Sequence, residues 1–273
     1  MPELPEVEYT RRNLDRWMRG ATIDAAIVRD AKAVKPSAAA FVRGVEGRKV
    51  RALERRGKWL RFTLDDGSLV FAHLGMTGWF ELAEAGGVAR RFERVAFDVS
   101  RRGKKLRVSY VDARRLGGLA LAHEDTKTWK KLGPDPEIEG IDVARLRAEL
   151  AAEKKRTIKE VLLDQTVLAG IGNIQSVEAL WKAGIDPRTR ASKLGAKDVA
   201  ALARGLRWTI DRTLADLATR GSAAETLVSA GAKNPFTIYG RKGTPCPRCK
   251  ATLARIELGG RTTTFCPGCQ KRR

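Results

Sequence analysis

The sequence predicts an α+β protein, with a β-sandwich behind an N-terminal helix, a C-terminal helical domain and a terminal β-hairpin that carries cysteines. Three observations predict it. Residues 3–18 place apolar side chains at helical spacing, residues 21–122 break into short strand-like runs between turn signals, and helical spacing returns beyond residue 136.

The first element opens with Pro5 in its first turn and acidic residues around it. Val7, Leu14, Trp17 and Met18 share a face, and Gly20 ends it. Runs at 49–53, 59–64, 68–73, 94–99 and 105–111 read as strands. Asp65-Asp66-Gly67 and Arg101-Arg102-Gly103 are turns between them. Evenly spaced short strands fit a sandwich or barrel. Leu132-Gly133-Pro134-Asp135-Pro136 is a breaker cluster that marks a domain boundary. Helices are expected at about 142–152, 156–164, 173–183 and 197–219, with Ala169-Gly170-Ile171-Gly172-Asn173 as a tight turn opening the third. Two short hairpins are expected over 238–273. The resulting division is 1–131, 132–236 and 237–273.

Composition narrows the class. Hydrophobic residues make up 43% of the 273-residue chain, enough to build cores, which argues against wholesale disorder. The net charge of +21, from 53 Lys and Arg against 32 Asp and Glu, suits a phosphate backbone, although a generally basic surface has the same arithmetic. No run of 18 apolar residues is present, and the acidic, Pro-rich start lacks signal-peptide chemistry, so a cytoplasmic protein without a membrane partner is expected.

Cys246-x2-Cys249 and Cys266-x2-Cys269 stand 16 residues apart. Two such doublets match a structural four-thiolate Zn²⁺ site with no open coordination position. Disulfides are the alternative, and they fit an intracellular chain poorly. Between the doublets lies Gly259-Gly260-Arg261. Arg261 at a hairpin tip either reaches a phosphate or is an ordinary solvated turn residue.

Met1 precedes a small residue, which favours its removal and leaves Pro2 with a free secondary amine. An α-amino group has a pKa of about 7.7–8.0, so part of it is nucleophilic at neutral pH. Such an amine can form an iminium at a sugar carbon, with Glu3 beside it to move protons. Taken alone, Pro2 is more often just a permissive second residue.

The motifs in order resolve that ambiguity. Pro2-Glu3-Leu4-Pro5-Glu6-Val7-Glu8, Arg55-Arg56-Gly57-Lys58-Trp59-Leu60, His73-Leu74-Gly75-Met76-Thr77-Gly78, Asp112-Ala113-Arg114-Arg115-Leu116-Gly117, Leu132-Gly133-Pro134-Asp135-Pro136, Gly170-Ile171-Gly172-Asn173-Ile174 and Tyr239-Gly240-Arg241 precede the four-cysteine finger. Together they resemble the formamidopyrimidine-DNA glycosylase family along nearly the full chain. The resemblance implies a helix-two-turns-helix DNA-binding domain and a zinc finger. It also implies a monomeric repair enzyme that acts on double-stranded DNA containing damaged bases or abasic sites, removes oxidised purines and then cuts the strand by β,δ-elimination. It casts Pro2 as the nucleophile at C1′, Glu3 as proton donor, and Lys58 and Arg261 as participants in strand cleavage. Lys155 and Asn173 become phosphate contacts, and His73 and Tyr239 belong to DNA-contacting motifs. Met76, Arg114 and Leu116 fill the gap left by a flipped nucleotide, with Arg114 able to pair with the orphaned base.

Three positions depart from the family pattern. Leu116 replaces the wedge phenylalanine, Gln175 stands where tyrosine is usual, and Phe92-Glu93-Arg94-Val95 lacks histidines often seen in that strand. The connection 221–236 also looks short for a loop that closes over an oxidised guanine. Oxidised pyrimidines, the substrates of the endonuclease VIII branch, are therefore the alternative, as is a non-catalytic binder of damaged DNA.

Overall fold

A computed structural model describes residues 2–219 and 234–273, so positions 221–233 of the connection noted above lie outside the described residues. These residues divide into two compact units, one of 2–130 with 217–219 and the other of 131–216 with 234–273.

The first unit opens with α1 (Leu4–Met18), whose inward face carries Leu4, Val7, Leu14 and Met18. The chain then runs through β1 (Thr22–Val28), β2 (Val34–Lys35), α2 (Ala38–Val45), β3 (Val50–Arg56), β4 (Trp59–Leu64), β5 (Leu69–His73), β6 (Gly78–Glu84), β7 (Glu93–Arg101), β8 (Lys104–Asp112), β9 (Gly118–Ala122) and α3 (Lys127–Lys131). Two sheets form, ordered β1-β7-β8-β6 and β2-β9-β5-β4-β3. All pairings are antiparallel except the two-residue β2–β9 ladder. Alternation sets the faces: in β4, Leu60, Phe62 and Leu64 point inward while the residues between them are partly exposed. One core joins residues from both sheets, and Phe62 of one sheet meets Phe80 of the other at 6.2 Å between ring centroids. The expected sandwich is therefore present. The α2 helix had not been anticipated. Ser37 caps it by accepting from the Ala40 N–H at 3.2 Å, and it buries Phe41 and Val45.

Pairing register gathers the chemistry at one end of the sandwich. Trp59, His73 and Gly118 lie side by side at the end of one sheet. Gly78 faces Asp112 at the corresponding end of the other. The loops 74–77 and 113–117 join the sheets there.

The second unit contains α4 (Val143–Ala152), α5 (Ile158–Leu163), α6 (Asn173–Ala183), α7 (Ala196–Thr219) and the hairpin β10 (Ala254–Leu258) and β11 (Arg261–Phe265). A Thr157/Glu160 capping box starts α5, and Gly184 ends α6 in the left-handed conformation at φ 71°. Of the two hairpins expected near the cysteines, one is a full ladder and the other a single bridge between Pro245 and Thr252.

Candidate active site and nucleic-acid interface

The N-terminal corner is built from buried charge. Pro2 and Glu3 are both buried, Glu3 to 1% exposure. Glu3 caps α1 in a reciprocal capping box with Glu6, and its N–H donates to Glu6 Oε2 at 2.9 Å. Burial, reinforced by the neighbouring Glu3 charge, raises the Glu6 carboxyl to about 7. Two residues on, Glu8 behaves oppositely. Desolvation disfavours its charge, but hydrogen bonds from Arg11 and Arg12 and the nearby Arg55 outweigh it and hold the carboxyl at about 2.

Arg55 couples this helix to the turn that carries Lys58. The buried guanidinium donates to Glu8 Oε2 at 3.1 Å and to the Gly57 carbonyl at 3.0 Å. The register Arg56 opposite Trp59 leaves Gly57 and Lys58 as a two-residue turn, with Gly57 at φ 57°. Positive φ at the first central residue suits a type II′ turn, and glycine adopts it without strain. Lys58 is buried to 8% exposure, so it is not the ordinary solvated turn lysine that the sequence alone allows. Burial, and then the Lys58 charge, push His73 below its usual pKa, so the ring is neutral at neutral pH. Its Nδ1 accepts from the Gly75 N–H at 3.1 Å, which assigns the ring hydrogen to Nε2. Trp59, His73, Leu116 and Lys32 help to line a cavity of about 260 Å³ beside this end of the sheet.

The residues expected to fill a gap in DNA sit on two interlocked loops. Asp112, fully buried, accepts from the Thr77 hydroxyl at 2.6 Å and from the backbone N–H groups of Arg114, Leu116 and Gly117. That one carboxylate shapes the loop 113–117 and ties it to the Met76 loop. Gly75, at φ 59°, lies so close that a Cβ there would meet the Leu116 carbonyl carbon at 2.5 Å. Met76 and Leu116 nevertheless point outward, 38% and 52% exposed, and Arg114 is exposed beside them.

In the second unit, Asn173 occupies the first turn of α6. Its amide nitrogen donates to the Thr262 carbonyl of β11 at 2.9 Å, and its oxygen accepts from Lys159 Nζ at 2.7 Å. Lys159 is fully buried and also donates to Ser176 Oγ at 2.6 Å. Arg261 follows the Gly259-Gly260 turn, where both glycines have positive φ, and is exposed. Asn173 thus links the helix start to the strand of Arg261. Lys155 is exposed on the segment between α4 and α5. Tyr239 is held where its N–H donates to Glu178, which also accepts from the N–H groups of Thr237 and Ile238. Gln175 is fully buried and donates to Thr213 on α7 at 3.2 Å.

The four cysteines form one cluster, with all Sγ atoms within 4.8 Å of one another. Cys249 and Cys266 stand 3.3 Å apart and Cys246 and Cys269 3.9 Å, far beyond a disulfide's ~2.05 Å. Four thiolates at about 2.3 Å from Zn²⁺ would be separated by roughly 3.8 Å, so the donor set fits a tetrahedral metal. Trp181 Nε1 donates to Cys246 Sγ at 3.4 Å, supporting a thiolate. Gly268 permits the approach, since a Cβ there would lie 3.0 Å from Cys249 Sγ.

Sequence reasoning missed Arg55, Lys159, Glu178 and Asp112. A signal existed for Arg55, which falls in phase with the inward Leu53 of β3 and so requires an acidic partner. Lys159 and Glu178 have partners 14 to 61 positions away, and Asp112, though it binds N–H groups two to five residues ahead, makes its tie to Thr77 across 35 positions.

A sandwich with a capped N-terminal corner, a helix-two-turns-helix unit and a four-cysteine hairpin defines a class of multidomain proteins. Three family models identify the particular family: the formamidopyrimidine-DNA glycosylase N-terminal domain over residues 1–119, its H2TH domain over 132–223, and the zinc finger found in FPG and IleRS over 243–272. The chain belongs to the formamidopyrimidine-DNA glycosylase family. It is 36% identical to the formamidopyrimidine-DNA glycosylase of Chelativorans sp. strain BNC1, over 99% of this chain and 100% of that one. It is 37% identical to that of Geobacter metallireducens at the same coverage. Among solved structures it resembles the Lactococcus lactis enzyme bound to DNA containing an AP site, with TM-score 0.85 and 29% identity over 99% and 100% of the two chains. The same enzyme bound to DNA containing Fapy-dG matches with TM-score 0.86, also at 29% identity and with 99% and 100% covered. No helix among the described residues is long and apolar enough to cross a membrane.

Proposed function

We propose that this chain removes oxidised purines from double-stranded DNA in the bacterial cytoplasm and then cleaves the strand, using the amine of Pro2 once Met1 is removed. The observation that carries the reading is the buried corner in which Pro2 and Glu3 lie beside a carboxyl held at about 7. Such a corner keeps an amine and a proton donor out of bulk water, and the solved relatives bind abasic-site and Fapy-dG DNA.

The Pro2 nitrogen lone pair attacks C1′ of the flipped nucleotide. The glycosidic bond breaks, its electron pair leaves with the base, and the base takes up the proton that the Pro2 nitrogen sheds on becoming a tertiary amine. Glu3 protonates the ring oxygen as the C1′–O bond opens, and the nitrogen lone pair completes an iminium. Loss of a 2′ proton expels the 3′ phosphate, and loss of the 4′ proton expels the 5′ phosphate. Lys58 assists these proton transfers. Arg261, Asn173 and Lys155 hold the flanking phosphates, while His73 and Tyr239 complete the DNA-binding surfaces. Met76, Arg114 and Leu116 occupy the gap in the duplex. Cys246, Cys249, Cys266 and Cys269 hold one structural Zn²⁺, which supplies rigidity to the hairpin of Arg261. The working division is a catalytic domain over 1–131, a helical DNA-binding domain over 132–236 and a finger over 237–273.

Borohydride trapping tests this reading on duplexes carrying oxidised guanine, an oxidised pyrimidine or an abasic site. Hydride reduces the iminium carbon and leaves a covalent adduct. Adducts with oxidised guanine and with the abasic site are expected, and both disappear when a non-removable residue precedes Pro2. No adduct on any duplex would overturn the mechanism, as would excision that survives the blocked amine. Preference for the pyrimidine would move the chain to the endonuclease VIII branch.

A further inference from the structure

We propose that Phe92 is a second stacking residue for DNA, placing its ring against an unstacked nucleobase beside the lesion. The proposal rests on the DNA-repair reading above and names a contact that none of its assigned residues makes.

The geometry is unusual for an aromatic side chain. Phe92 is 40% exposed and adopts φ 65°, in the left-handed region that bulky residues avoid. Such a conformation persists only where the surroundings enforce it. Here they do. The Phe92 carbonyl accepts from the Asp112 N–H at 3.1 Å, and Arg94 Nε donates to the Asp112 carbonyl at 2.8 Å. Asp112 is the same residue whose carboxylate shapes the loop of Arg114 and Leu116. Asp30 braces both sides, facing Arg94 at 3.7 Å and Arg115 at 2.8 Å. Arg115 also has positive φ, 56°, and Asp30 ties it to Arg94, two residues beyond Phe92. The ring is thus mounted on the root of the gap-filling loop.

Its occupant follows from charge and from what Leu116 lacks. The Arg91 guanidinium carbon lies 4.6 Å from the Phe92 ring centroid and that of Arg94 5.9 Å. A ring flanked by guanidiniums offers a π-surface with phosphate partners alongside, the combination used to hold unpaired bases. Leu116 fills space but has no π-face. Phe92 supplies one, on backbone bonded to the residue whose carboxylate holds the Leu116 N–H, within a chain of net charge +21. The acidic groups nearby are already engaged: Glu93 is paired with Arg29 and Ser109.

The test compares binding of an abasic-site duplex and an undamaged duplex by the full-length protein and by Phe92→Ala, Phe92→Gly and Phe92→Trp. Glycine keeps the backbone conformation, so it separates stacking from folding, and melting temperatures check both small variants. Phe92→Ala and Phe92→Gly should weaken abasic-site binding by about 5- to 150-fold, the range for one base–aromatic stack. Undamaged binding and the salt slope should be unchanged, and Phe92→Trp should restore affinity. With 2-aminopurine opposite the abasic site, binding should change its emission for the wild type and Phe92→Trp but much less for Phe92→Gly. Unchanged abasic-site affinity in Phe92→Gly, equal losses on both duplexes, or no rescue by tryptophan would overturn the stacking role. If the wild type itself does not prefer the abasic duplex, the underlying repair reading fails instead.

Discussion

The N-terminal corner and the finger hairpin treat charge in opposite ways. At the corner Glu3, Glu6, Glu8, Arg55 and Lys58 are all buried, and the surroundings of Glu6 and Glu8 decide which of the two ionises. Glu6 is pushed up to about 7, while its neighbour Glu8 is held near 2 because guanidiniums reach it. At the finger, Arg261 stands exposed on a glycine turn, and what the fold controls is its position. Four thiols and the Asn173–Thr262 bond provide that control. Proton chemistry needs a tuned interior, whereas a phosphate grip needs a fixed cation.

The largest effect expected from this contrast lies at the finger. Structural Zn²⁺ binding is worth on the order of 10 kcal/mol in small fingers. Cys266→Ser, or a strong chelator, should release one Zn²⁺ per chain and unfold the hairpin, with loss of DNA affinity. The sandwich should still melt cooperatively. Full DNA affinity without metal would break the comparison. Next comes Arg55→Met, expected to cost about 3–5 kcal/mol by leaving Glu8 and the Gly57 carbonyl without a buried donor. Denaturant unfolding measures this, and a loss below about 1 kcal/mol would show that Arg11 and Arg12 suffice. The smallest is Glu6→Gln. A carboxyl at about 7 when folded and near 4.5 when unfolded keeps its proton only in the folded chain across that interval. Wild-type stability should therefore fall as pH rises from 4.5 to 7, by up to about 3 kcal/mol, and Glu6→Gln should lack that slope. Glu8 works the other way, since its stabilisation is present above about 4.5 and is lost as pH falls through 2. Parallel pH curves for wild type and Glu6→Gln would remove Glu6 from the tuned interior.

Much of this contrast was legible in the sequence. The helices α1 and α4 to α7 announced themselves through periodic apolar positions and caps, and β4 through strict alternation. The helix α2 did not, because Ala38–Val45 is only eight residues long and its apolar stripe of Ala38, Phe41, Val42 and Val45 spans just two turns. The parallel β2–β9 ladder pairs residues more than eighty positions apart, which no local pattern encodes. At the site, the chemistry-bearing residues fell within motifs, but their supports did not. Arg55 and Glu8 are separated by 47 positions, and Asn173 and Thr262 by 89. Phe92 was visible only as a departure, since its left-handed backbone and its bond to Asp112 are tertiary facts.

The contact between Gly75 and the Leu116 backbone has a consequence for how the protein can vary. With no room for even a methyl group between them, the two loops behave as a single handle bearing interchangeable tips. Replacing a tip alters what the handle presents while leaving its alignment intact. Any side chain at position 75 would wedge the halves apart and shift every tip together. Variation in this chain is therefore open at the exposed ends and closed at the hinge between them.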